Sequence, residues 1–524
     1  MDLALAPETL ARWQFGITTV YHYLFVPLTI SLAALTAGLE TAWVRTGKEK
    51  YFHATKFWGK LFLINIAIGV ATGIVQEFQF GMNWSDYSKF VGDVFGAPLA
   101  MESLIAFFFE STFIGLWIFG WDKLPKKIHL ACIWLVSTGT ILSAYFILAA
   151  NSWMQHPVGY HIDKTTGVAH LNSIWQVLFQ DTAVFQFAHT LSSAFLTGGA
   201  FMIGIASYHL RKIKKKKATG EDVDRKKTVT LRTSLRLGLV VTMIAGVLVA
   251  LSGDSLAKVM FKQQPMKMAA AEALWETQCP APFSVFSVGD VTKGHNSVEI
   301  ELPGLLSFLS DRNFSSCVPG INETATAEAE KYGGAPEDYI PNLFITYWGF
   351  RLMIGIGLSA AVAAGAGFWL TRKKKWLLPE HQAAEDDVPK LMLTNKRELG
   401  PTITQWGWRF GMASLIFPFV ANSIGWVFTE MGRQPWAAYG LFKTEDSVSP
   451  GVSQTEMAIS LGALTLLYAM LLWINVRLMK RYAVKGPDTD EQPPAKDPTL
   501  RGPWGDDADD DSHDDSDKPL NFAY

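Results

Sequence analysis

An all-α integral membrane protein, with nine transmembrane helices gathered in a bundle, is the fold this sequence predicts. Three observations predict it. Hydrophobic residues make up 49% of the 524 and the net charge is only −2, while mean hydropathy is positive at +0.15. Nine stretches stay apolar over about the 20 residues that cross a hydrocarbon core at 1.5 Å per residue. Lys and Arg collect in alternate loops, the pattern that the positive-inside rule describes for a multi-pass chain. Runs this long and uniformly apolar read as helices, because barrel strands are short and alternate.

In chain order the spans fall near 15–38, 57–80, 98–120, 129–150, 180–209, 234–253, 343–370, 407–429 and 456–479. Arg45, Lys48, Lys50 and Lys56 fill the loop after the first span, and Lys123, Lys126 and Lys127 the loop after the third. Arg211, Lys212 and Lys214 to Lys217, then Arg372 to Lys375, then Lys480 and Arg481, fall on the same side. The other loops hold single lysines, Lys89 and Lys164, near their membrane ends. The N-terminus is therefore expected outside and the C-terminus in the cytoplasm.

Four segments follow: residues 1–253 with six spans, an external loop at 254–342, three spans at 343–482, and a tail at 483–524. Acidic residues crowd that tail between Asp506 and Asp517, which predicts a disordered, solvated cytoplasmic extension. The first apolar run is of span length and lacks a basic start, unlike a cleavable signal. There is no internal repeat, so inverted-repeat transporter logic has no support. Of the three cysteines, Cys132 lies in the fourth span as a small core residue. Cys279 and Cys317 share the loop, either bridged in an oxidising compartment or as two separate thiols. No CxxC or CxxCH occurs, against covalent haem and iron–sulfur clusters.

Ionisable and sulfur-bearing side chains inside the spans are the chemistry to explain, because such groups are costly in a bilayer. His189 and Met353 each lie about nine residues from the outer end of a span, and such a pair is a common axial set for low-spin haem. His22, Glu102 and Glu430 lie at similar depth. Each histidine reads equally as an imidazole bonded to a carbonyl, and Met353 as core filler. Arg351, two residues before Met353, faces the opposite side of its helix and needs an anion, for which haem propionates are suited. Glu102 and Glu110 are eight residues apart, about 80° around a helix and about 12 Å along it, so both can face one interior. Ser111 and Ser143 can extend a proton route from them. Glu430 and Arg433 form an interfacial ion pair in the plainer reading, with Trp426 and Trp436 as belt aromatics. Lys267 to Thr277 predicts a short amphipathic helix whose Lys267 and Glu272 reach one small pocket, or else a solvated loop helix.

Several stretches together resemble subunit I of the cytochrome bd quinol oxidases, over about residues 10 to 480. They are Arg12 to Pro27, Lys56-Phe57-Trp58-Gly59-Lys60, Glu77-Phe78-Gln79-Phe80-Gly81, Gly96-Ala97-Pro98-Leu99 and Gly432-Arg433-Gln434-Pro435-Trp436. The resemblance implies a copper-free terminal oxidase of the prokaryotic cytoplasmic (inner) membrane, with two haem b (one low-spin, one high-spin) and one haem d. It implies His189 and Met353 as ligands of the low-spin haem, and His22 and Glu430 as ligands of the two high-spin haems in an order left open. Glu102 resembles the carboxyl beside that pair and Glu110 the acidic relay; Arg351, Trp426 and Arg433 fall among the haems. Lys267 and Glu272 match the quinol-oxidising pair. Implied partners are a homologous subunit II, small single-span subunits, menaquinol or ubiquinol, oxygen and lipid, with no nucleic acid. A relative with b haems only shares these ligands, and a proton-coupled transporter would explain the carboxyls but not the His–Met pair.

Overall fold

Nine helices long and apolar enough to cross a membrane run through the described residues of the computed structural model, namely 6–290, 294–371 and 401–494. They are Pro7–Thr46, Glu49–Met82, Ser85–Phe119, Lys126–Gln155, Asp181–Ala218, Arg225–Gln263, Pro336–Thr371, Gln405–Met431 and Gln454–Lys485. Each expected span coincides with one of them; 98–120 and 180–209 overrun a helix end by one residue, and the other seven helices extend beyond the apolar run at both ends. Arg372 to Lys375 and the acidic run Asp506 to Asp517 lie outside the described residues.

Local sequence explains the ends and breaks. Pro7 opens the first helix, and Gly47 closes it in the left-handed conformation (φ 67°), which a Cβ would disfavour. The eighth helix is interrupted at Ser414–Ile416, immediately before Phe417-Pro418, because proline supplies no N–H to the preceding turn. In the third helix, residues Glu102–Ala106 form a π turn.

The first and fifth helices are the centre of the bundle, buried over 72% and 78% of their most apolar windows, against 11% for the third and ninth. The first packs on the second, fourth, fifth and ninth, and the fifth on the sixth. A polar tie closes the end remote from the 254–342 loop. There the Trp117 indole N–H donates to the Glu40 carboxylate at 2.8 Å, and Glu40 lies 2.7 Å from His129 Nδ1. Gly59 allows Trp117 in, since a Cβ there would stand 2.5 Å from its ring.

The 254–342 loop carries a helix at Pro265–Glu272, an antiparallel hairpin of Phe283–Asp290 and His295–Leu302, and helices at Leu305–Asp311 and Ile321–Tyr332. Cys279 and Cys317 are disulfide-bonded, next to a bridge between Gln278 and Val318. The helix departs from the amphipathic expectation. It stops at Ala273, and all of Met266 to Glu272 are buried, because it is wedged against the sixth and seventh spans rather than lying on solvent.

Candidate haem and quinol site

His22 lies on the buried first helix, where its Nδ1 is 3.0 Å from Thr72 Oγ1 of the second. The Thr72 hydroxyl already donates to the Ile68 and Gly69 carbonyls, so it accepts from the imidazole and leaves Nε2 as a bare lone pair. His189, on the fifth helix, repeats the arrangement. Its Nδ1 is 3.3 Å from Ser252 Oγ, which donates to the Leu248 carbonyl at 2.6 Å. An imidazole oriented through one nitrogen and free at the other is the form that binds iron. Glycines flank all three neutral donors: a Cβ at Gly73 would stand 3.1 Å from His22 Cε1, one at Gly253 3.1 Å from His189 Cε1, and one at Gly425 2.7 Å from Met353 Sδ. The donor set therefore fits haem: two imidazoles presenting Nε2 and a thioether, each beside a glycine, together with the Glu430 carboxylate.

The eighth helix joins these groups. Gly425 meets Met353, Trp426 lies against Tyr23 with ring centroids 5.3 Å apart, and Glu430 pairs with Arg433. Glu430 also accepts from Asn151 Nδ2 at 2.9 Å. Asn151 in turn accepts from Gln186, one turn before His189, and Gln186 accepts from Ser152. These amides link the carboxylate to the helix of His189.

Lys267 and Glu272 occupy opposite ends of the short loop helix and do not share partners. Lys267 Nζ donates to Gln155 Oε1 at 2.5 Å, and the Gly432 backbone packs on its stem. Burial pushes its pKa down to about 7, with Arg433 adding repulsion and Glu430 opposing. Glu272 pairs with Arg351 at 2.5 Å; burial raises its pKa and Arg351 partly offsets that. Within this chain Arg351, for which the sequence suggests haem propionates as the anion, has a carboxylate partner of its own. Its guanidinium is satisfied by Glu272 and, through Nε, by the Ser284 carbonyl at 2.8 Å. Arg351 does face away from Met353, toward the loop.

The π turn changes the geometry expected for Glu102 and Glu110. A turn closed i to i+5 absorbs about one extra residue, so the effective spacing is about seven, two full turns. Both carboxyls then meet one strip of the fourth helix. Ser143 Oγ donates to Glu102 at 2.7 Å, and Glu110 packs on Gly139, one turn away, where a Cβ would come within 2.9 Å of its Cγ. Ser111 is exposed on the flank and donates to the Phe108 carbonyl at 3.4 Å; it does not join Glu110 within this chain. From Gly139 through Ser143 to Asn151, the fourth helix carries contacts to Glu110, Glu102 and Glu430 over about 18 Å.

Thr72, Ser252, Asn151, Gln186 and Gln155 were not singled out by sequence reasoning. Their signal was the density of amides and hydroxyls at the loop-side ends of the spans, above all Asn151-Ser152 and Gln155.

This arrangement describes a multi-span membrane protein whose buried donor set suits haem. The sequence profile described as cytochrome bd terminal oxidase subunit I matches residues 10–487, so the chain belongs to that family, and its activity class is quinol:oxygen oxidoreduction. The chain is 44% identical to the cytochrome bd ubiquinol oxidase subunit 1 of Bacillus subtilis (strain 168), over 92% of this chain and 94% of the relative. It is 34% identical to the cytochrome bd-II ubiquinol oxidase subunit 1 of Escherichia coli (strain K12), over 92% and 98%. A bd oxidase structure from Geobacillus thermodenitrificans superposes with a TM-score of 0.77 at 26% identity, covering 93% of this chain and 100% of that one.

Proposed function

We propose that this chain is the haem-bearing subunit of a bd-type oxidase that oxidises quinol beside the 254–342 loop and reduces oxygen to water with protons drawn from the opposite side. The observation that carries this reading is the repeated one: two imidazoles on the two most buried helices, each held through Nδ1 by a spent hydroxyl. His189 and Met353 would hold a low-spin haem b; His22 and Glu430 would hold a high-spin haem b and a haem d. When bound, haem supplies one-electron transfer and, at a high-spin iron, an open position for oxygen.

The remaining chemistry belongs to side chains. Lys267, half neutral near pH 7, accepts a proton from a quinol hydroxyl, and Glu272, oriented by Arg351, serves the second. Those protons leave on the loop side. Glu110, Glu102 with Ser143, and Glu430 with Asn151 form a file along the fourth helix that brings protons from the other side. Arg433 and Trp426 fix Glu430 and the first–eighth helix contact. The basic residues of the alternate loops support a cytoplasmic origin for these protons, an external loop and a cytoplasmic C-terminus. Opposite release and uptake separates charge across the inner membrane without a pump. The exposed flank of the third helix, with Ser111, suits a homologous subunit II, and single-span subunits fit other exposed faces. Menaquinol and ubiquinol both satisfy the Lys267–Glu272 chemistry.

Pyridine haemochrome analysis with a reduced-minus-oxidised spectrum of the purified complex tests this. Two haem b and one chlorin absorbing in the red are expected. Three haem b would remove the haem d assignment, and a haem-free complex would overturn the reading.

A further inference from the structure

The Phe283–Asp290/His295–Leu302 hairpin lies along a membrane helix instead of standing clear of it. Arg351 Nε reaches the Ser284 carbonyl, Ser284 Oγ lies 2.9 Å from the Tyr347 hydroxyl, Phe286 stands edge-on to Trp348, and Gly289 packs on Leu343. The first strand thus follows the seventh span from residue 351 to residue 343, about 12 Å of its length. A ribbon fixed to that stretch shares its depth. Phe344, on the same stretch, is 72% exposed, and Leu352 is exposed as well, so apolar helix surface continues beside the hairpin.

The two faces of the ribbon differ. Phe286 pairs with Ile300 and Val288 with Val298, and all four are exposed. Ser287 pairs with Glu299 and Ser284 with Glu301, placing the polar side chains on the opposite face; Glu299 accepts from Asn296 Nδ2 at 2.8 Å. Period-two alternation of this kind normally buries its apolar side. Here that side is open and continuous with the exposed surface of a membrane helix. The outer strand still has unpaired backbone groups, which hydrocarbon would not satisfy, so the ribbon belongs at interfacial depth.

We propose that this apolar face sits in the lipid of the adjoining leaflet, as one wall of the passage by which a lipophilic quinol reaches Glu272. The passage rests on the quinol reading above; the lipid contact does not. Ser284 links the two, since the strand that faces lipid on one side holds the partner of Glu272 on the other.

Nitroxide labels at Val298→Cys, Ile300→Cys, Glu299→Cys and Glu301→Cys, in the complete oxidase in lipid nanodiscs, test the contact. Within this chain Cys132 is buried and Cys279–Cys317 is bonded, so labelling above that of the unsubstituted complex reports the introduced thiols. Positions 298 and 300 should collide more with oxygen than with a water-soluble nickel chelate, and 299 and 301 the reverse. Nickel preference at all four, or shielding of 298 and 300 from both agents, as under a protein partner, would overturn the proposal. The Ile300→Asp variant should raise KM for a long-chain quinol delivered in the membrane about fivefold, with kcat and the KM for a short water-soluble quinol unchanged. Equal effects on both quinols would remove the passage. Lipid-facing labels on an enzyme that oxidises no quinol would sink the quinol reading alone.

Discussion

The first and fifth spans differ from the third in how they carry ionisable groups. His22 and His189 sit on helices enclosed on nearly every side, each imidazole pinned by a hydroxyl with no other proton to give. Glu102 and Glu110 sit on a helix with one covered strip, where a serine and a glycine meet them. A metal ligand must keep one geometry through every turnover, and enclosure supplies that. A proton relay must exchange hydrogen-bond partners, and one strip with a small residue opposite leaves the room. In the proposed reading the π turn belongs to the second kind of site: it turns two carboxyls toward the same neighbour at the cost of regular helix geometry.

Replacing Glu110 with Gln gives the largest effect that separates the two regions. Oxygen-reducing turnover should fall about 100-fold or more, within the range for losing a positioned proton-transfer group, while haem content and spectrum stay as in the parent. A spectrum lost together with turnover would place Glu110 among the holding residues and erase the distinction.

A smaller effect concerns the loop helix, whose ends meet different spans, Lys267 the fourth through Gln155 and Glu272 the seventh through Arg351. With its pKa held at about 7 by burial, Lys267 is mainly protonated below that pH and mainly neutral above it. Log kcat/KM for quinol should therefore rise with pH up to about 7 and then level, and Lys267→Gln should flatten the rise. An unchanged profile would remove Lys267 as proton acceptor. Stability follows the same sign. The folded pKa lies below the ordinary lysine value of about 10.4, so the burial penalty is full below about pH 7 and relaxes as pH rises between the two values.

Much of this was legible in the residues. Nine apolar runs placed nine helices because spanning a bilayer leaves few alternatives. Glu430 and Arg433, three apart, pair as their spacing suggested. What the pattern could not carry were contacts between distant segments. The partner of Arg351 is Glu272, 79 positions away, and nothing local distinguishes that carboxylate from a propionate. The loop helix read as amphipathic because Lys267 and Glu272 are charged, yet both are buried and satisfied by other elements. The π turn has no sequence signature here, and helical arithmetic over eight residues missed it by about one position. Hydroxyl partners such as Thr72 and Ser252 look like ordinary small residues until a histidine from another helix lies beside them.

The measurement that reaches the central claim most directly is the reduced-minus-oxidised spectrum of the Met353→Leu complex beside the parent. Leucine is apolar and of similar volume but has no sulfur, so the low-spin haem b signal should disappear or convert to high-spin while the other haem bands persist. An unaltered low-spin spectrum would contradict the assignment of His189 and Met353 as one axial pair, and with it the proposed entry of electrons.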